Sequence, residues 1–133
     1  MTKPLDVNLI NGIALAFEGD AVYSYYIRKH LIFKGQTKPS QLHHLATKYV
    51  SAKAQASLAQ AMLDARLLTE KEEDIYKRGR NTKSHTKAKN ADVITYRMST
   101  GFEAVMGYLD MTNQQERLEE LIIWCINHVE QNA

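Results

Sequence analysis

Apolar residues recur along this chain at three- and four-residue intervals, and no run alternates in the way a half-buried strand requires. Asp6 is a candidate cap for a first helix whose apolar face carries Ile10, Ile13, Phe17, Ala21 and Tyr25, ending near Gly35. A short helix follows Pro39, with Leu42, Leu45 and Ala46 on one side and an end near Val50. Ser51 caps the next, where Ala54, Leu58, Ala61, Met62 and Ala65 form a stripe. Thr69 with Glu72 three residues on is a capping-box pattern, opening a helix through Ile75 towards Arg78. Gly79, Asn81, Ser84 and His85 then predict a loop, and Asn90 a cap for a helix through Ile94, Met98, Val105 and Tyr108. Thr112 with Gln115 repeats the capping-box pattern before a last helix containing Leu118, Leu121, Ile122 and Cys125. The expectation is a single all-α domain over residues 1–133, with no internal repeat and no low-complexity linker.

Charge changes this picture in one place. Between Tyr76 and Ala91 there is no acid, while Lys77, Arg78, Arg80, Lys83, Lys87 and Lys89 supply positive charge. The remaining eleven Lys and Arg face fifteen Asp and Glu, so the formal +2 of the chain hides a body of −4. A basic segment on an acidic body points towards a phosphate-bearing partner, a merely solvated loop being the alternative. Cys125 is the single cysteine, which excludes an intrachain disulfide and a thiolate zinc cluster. No apolar run has the length of a signal peptide or a membrane span, so a cytoplasmic, reduced setting is expected.

Two helical stretches carry residues that a plain amphipathic helix would avoid. Phe17-Glu18-Gly19-Asp20-Ala21-Val22 and Ser99-Thr100-Gly101-Phe102-Glu103-Ala104-Val105-Met106-Gly107 each place a carboxylate among apolar neighbours, with glycines where a helix prefers alanine. Small residues allow two helices to approach closely, which would bring Asp20 and Glu103 together. A desolvated carboxylate needs a compensating cation, either Arg or Lys or a divalent metal. Oxygen ligands from few carboxylates, completed by water and phosphate, suit Mg²⁺. A surface charge or a buried ion pair is the competing account of each acid.

With these residues in view, the chain resembles the ribonuclease III superfamily. Leu15-Ala16-Phe17-Glu18-Gly19-Asp20-Ala21-Val22 is similar to its signature helix, and Glu103-Ala104-Val105-Met106-Gly107 to its second metal-binding helix. The string from Lys77-Arg78-Gly79-Arg80-Asn81 through Lys89-Asn90-Ala91-Asp92 to Ser99-Thr100-Gly101-Phe102-Glu103, with Tyr49-Val50-Ser51-Ala52-Lys53-Ala54-Gln55, resembles the Mini-ribonuclease III branch. That branch lacks a separate double-stranded-RNA-binding domain.

The resemblance implies a ribonuclease III endonuclease-domain-like helical bundle and a homodimer with one active centre for each RNA strand. It implies Mg²⁺-dependent cleavage of double-stranded RNA leaving 5′-phosphate and 3′-hydroxyl ends. The described role is maturation of the 23S ribosomal RNA precursor, with ribosomal proteins or a pre-ribosomal particle as further partners. Asp20 and Glu103 take the catalytic and metal-binding positions. Phosphate and sugar contacts fall to a basic loop at about 78–90: Arg78, Arg80, Asn81, Lys83, Ser84, Thr86, Lys87, Lys89 and Asn90. Ribonuclease III of the usual type has further carboxylates where this chain has Ala16 and Thr100. Glu18 stands where an apolar residue is usual, as an extra acid at the site or a surface charge, with the surface favoured. A catalytically silent RNA-binding protein and a helical interaction module are the rival classes.

Overall fold

The computed structural model describes residues 5–82 and 91–133, with no strand among them. A 3₁₀ turn, Val7–Leu9, precedes six helices: α1 Gly12–Phe33, α2 Pro39–Val50, α3 Ala52–Asp64, α4 Glu70–Asn81, α5 Ala91–Met111 and α6 Gln115–Gln131. Local chemistry sets most of the starts. Asn11 Oδ1 accepts from the Ala14 backbone N–H at 2.8 Å, and Ser51 Oγ from Ala54 at 3.1 Å. Pro39 opens α2 at a position where no N–H is needed. The Thr69–Glu72 capping box closes in both directions, at 2.9 and 3.1 Å.

Four details differ from the sequence expectation. Asp6 caps the 3₁₀ turn, because Asn11 lies closer to the true start of α1. The helix expected to fade at Arg78 runs on to Asn81, with Thr82 Oγ1 donating back to the Arg78 carbonyl at 2.5 Å. Thr112 does not cap α6. Its hydroxyl donates to the Tyr108 carbonyl at 2.7 Å and finishes α5, while Asn113 at φ 58° turns the chain and Gln114 precedes the first turn of α6.

The fourth difference is the buried face of α1. Leu15, Ala16, Gly19, Tyr23, Ile27 and Leu31 face the core, whereas Phe17 is 83% exposed and Ile13, Ala21 and Tyr25 are also exposed. The helix is apolar on more than one side, so spacing alone does not select the stripe that packs.

Helix α5 is the axis of the molecule, lying against α1, α3, α4 and α6. Its Phe102, Val105, Met106 and Leu109 are fully buried, with Tyr23 meeting Phe102 edge-on at 4.9 Å between ring centroids. Leu118, Leu121, Ile122 and Cys125 of α6 close one side, as the spacing predicted. Where α1 crosses α5 the backbones touch. A Cβ on Gly19 would lie 1.8 Å from the Glu103 carbonyl oxygen, and one on Gly107 2.0 Å from that of Leu15. No described helix is long and apolar enough to cross a membrane.

Candidate active site

Asp20 and Glu103 flank that crossing: Asp20 follows Gly19, and Glu103 supplies the carbonyl that Gly19 touches. Their side chains open into one pocket of about 200 Å³, lined also by Ile13, Ala16, Phe17, Gly79, Thr82, Tyr96, Arg97 and Thr100. The convergence expected from sequence is therefore present. Burial pushes the Glu103 carboxyl up to about 8, and the hydrogen bond with Asp20 and its charge add to that rise. Two carboxyls within hydrogen-bonding reach cannot both be charged cheaply unless a cation lies between them.

A divalent ion with oxygen ligands fits this donor set. Asp20 is exposed and Glu103 half-buried, so an ion held by both would keep open positions for water and phosphate. No cluster of three or more His, Cys, Asp or Glu suited to a metal exists among the described residues. Ala16 and Thr100, one helical turn before each acid, line the same pocket and contribute no carboxylate.

Glu18 is neither an extra acid at the site nor a free surface charge. It lies outside the pocket lining, half-buried, beside Asp110. Burial first, then the Asp110 hydrogen bond and charge, push it up to about 8. Two residues of helix separate it from Asp20 by some 200° of rotation, which accounts for the opposite placement.

The basic residues divide between two settings. Arg78 and Arg80 sit on the last turns of α4, with Asn81 at its end. The Arg78 guanidinium donates to the Ile10 carbonyl at 2.5 Å, tying α4 to the entry of α1. Arg80 lies over the Tyr76 ring at 5.6 Å and donates through Nε to Asn81 Oδ1 at 3.1 Å. Arg80 and Asn81 share a shallow pocket with Ile94, Arg97 and Met98. Lys83, Ser84, Thr86, Lys87, Lys89 and Asn90 lie outside the described residues.

Sequence reasoning passed over Tyr96 and Arg97. Arg97 borders both the acid pocket and the Arg80–Asn81 pocket, so it links the carboxylates to the basic end of α4. Its position one turn before Gly101 on the helix of Glu103 was the available signal. Gln55 and Ser99, buried near Glu103, were also missed as site residues.

A model of the Ribonuclease III domain matches residues 13–114, which contain both acids. The chain is 77% identical over 126 residues to the Mini-ribonuclease 3 of Streptococcus pneumoniae, covering 95% of this chain and 98% of that one. Over 124 residues it is 66% identical to the Mini-ribonuclease 3 of Enterococcus faecalis, covering 93% and 94%. A crystal structure of a Fusobacterium nucleatum protein superposes with a TM-score of 0.79 at 26% identity, over 94% of this chain and 98% of that one.

Proposed function

We propose that this chain, which belongs to the Mini-ribonuclease 3 branch of the ribonuclease III family and is an endoribonuclease of that type, cuts double-stranded RNA with Mg²⁺ held by Asp20 and Glu103. One observation carries the reading: two acids 83 positions apart in sequence meet in one pocket, as a carboxyl pair in hydrogen-bonding reach. Family membership sets aside the interaction-module and silent-binding readings.

A hard, oxygen-seeking ion that keeps several waters matches two carboxylates better than a softer metal would. The chemistry such an ion supplies is stabilisation of charge at phosphorus and at the departing oxygen. Asp20 and Glu103 hold the ion's place, and the open side of the pocket admits the RNA backbone. Water adds to phosphorus and the 3′ oxygen leaves with a proton, giving 5′-phosphate and 3′-hydroxyl ends. Arg80 and Asn81, with Lys83, Ser84, Thr86, Lys87, Lys89 and Asn90, contact phosphates and sugars. Arg78 joins them to the extent that its bond to Ile10 leaves donors over. Contacts of this kind read duplex shape more than sequence and weaken with salt.

The active form is a homodimer, one centre for each strand, supported by the exposed apolar strip of Ile13 and Phe17 at the pocket rim. Its substrate is a stem of the 23S ribosomal RNA precursor in the cytoplasm, met with ribosomal proteins or within a pre-ribosomal particle. Incubation of wild-type, Asp20→Asn and Glu103→Gln proteins with such a stem, with Mg²⁺ or with chelator, tests the assignment. Cleavage should need metal and disappear in both variants while RNA binding persists. Full activity of Asp20→Asn at saturating Mg²⁺ would overturn it.

A further inference from the structure

Gln55 on α3 is 1% exposed, a burial that an amide tolerates only with partners for both ends. Its Oε1 has one: Ser99 Oγ, on α5, donates to it at 2.6 Å. Ser99 is itself buried and stands one turn before Glu103 on the same face of that helix. This bond fixes the rotation of the amide, so the donor end is held in place. The amide lies near enough to the Glu103 carboxyl to favour its charged form, yet Nε2 closes no hydrogen bond within ordinary limits. A buried donor left open beside an active-site acid is satisfied once that acid presents an oxygen to it.

We propose that Gln55, locked by Ser99, is a positioning residue that pins one oxygen of Glu103 so that the other faces Asp20 and the ion they share. The inference rests on the two-carboxylate reading above. Partners that orient a ligating side chain act on metal affinity and activity without touching the metal. Gln55 would then govern how much metal the protein needs, with little influence on how tightly RNA binds.

The test replaces Gln55 by methionine, which keeps length and volume but removes both the carbonyl and the NH₂ of the amide. Three quantities are compared with wild type: the Mg²⁺ concentration for half-maximal single-turnover cleavage, Mn²⁺ affinity of the free protein by electron paramagnetic resonance, and RNA affinity in chelator. Gln55→Met should need about 10-fold more Mg²⁺ and bind Mn²⁺ correspondingly more weakly, with RNA affinity unchanged. Ser99→Ala keeps the amide but frees it to rotate, so it should shift both metal values in the same direction by less. That variant carries the test if Gln55→Met does not fold.

A role in packing alone predicts a lower melting temperature with wild-type metal values, and that result overturns the proposal. Asp20→Asn and Glu103→Gln serve as controls. Wild-type metal dependence in Gln55→Met beside two inactive controls overturns this inference and leaves the active-site reading intact. Full cleavage by Asp20→Asn overturns both.

Discussion

Gly19 controls the separation of the two acids more directly than any side chain does. The Glu103 carbonyl oxygen occupies the place where a Cβ would stand, 1.8 Å away, and the nearest atoms are backbone that cannot rotate aside. Gly19→Ala should therefore push α1 off α5, lowering stability by about 3 kcal/mol and removing cleavage with it. Urea denaturation read alongside single-turnover cleavage checks this. Gly35 offers a contrast. It ends α1 at φ +102° with open space around it, so alanine there strains only the local backbone. Gly35→Ala should cost about 1 kcal/mol and leave cleavage as it was.

Among the helices, α4 shows how one element is fixed by chemistry at its start and used at its end. Glu72 is 3% exposed, yet it carries charge: its Oε1 and Oε2 accept from Arg117 Nη2 and Nε at 2.8 and 2.9 Å, and its Oε1 also accepts from the Thr69 backbone N–H. Burial alone would push this carboxyl up, but Arg117 and the capping bonds outweigh it and hold Glu72 below the usual range. Arg117 also donates to the Leu67 carbonyl at 2.7 Å, so α6 grips the turn that leads into α4. Removing the arginine leaves a buried charge without its partner. Arg117→Met should cost about 3 kcal/mol, against about 1 kcal/mol for Thr69→Ala, which loses only the cap. Thermal or chemical denaturation of the two variants distinguishes them. Arg78 and Arg80, at the other end of α4, depend on this anchoring for their position beside the site.

Across the whole molecule, Glu130 ties three helices together near the end of the chain. Its Oε2 is bonded to His30 at 2.7 Å and accepts from Tyr49 at 2.9 Å and Lys34 at 3.0 Å, joining α6 to α1, α2 and the residue that ends α1. His30 first, with Lys34 and Tyr49 against the opposing effect of burial, pulls the carboxyl down from 4.5 to about 2. A depressed folded-state pKa means that the unfolded chain binds more protons between these values. The stabilisation is thus complete above about 4.5 and is lost as pH falls towards 2. Stability measured from pH 7 down to 2 should show this acid limb in the wild type, and a shallower one in Glu130→Gln. Assembly also belongs to this scale. A negative charge in the exposed strip, as Phe17→Asp, should yield monomers by light scattering if that strip joins two copies.

The sequence by itself determined the helices and singled out the two candidate acids. Capping residues such as Ser51 and the Thr69–Glu72 pair act over three or four positions, and their effect is complete within that span. The oddity of Asp20 and Glu103, acids among small and apolar residues, is likewise visible without coordinates, and family likeness made the pair a candidate site. Tertiary structure alone decided which side of α1 is buried, because Leu15, Tyr23 and Ile27 are no more apolar than Ile13 and Phe17, and the close fit of Gly19 against Gly107 brings the first of these faces onto α5. It also decided that Thr112 closes α5 instead of opening α6, and that Glu18 pairs with Asp110 away from the pocket. Gln55 belongs to the same class: its meaning lies in Ser99 and Glu103, 44 and 48 positions further along, and contacts at that range leave no periodic trace in the chain.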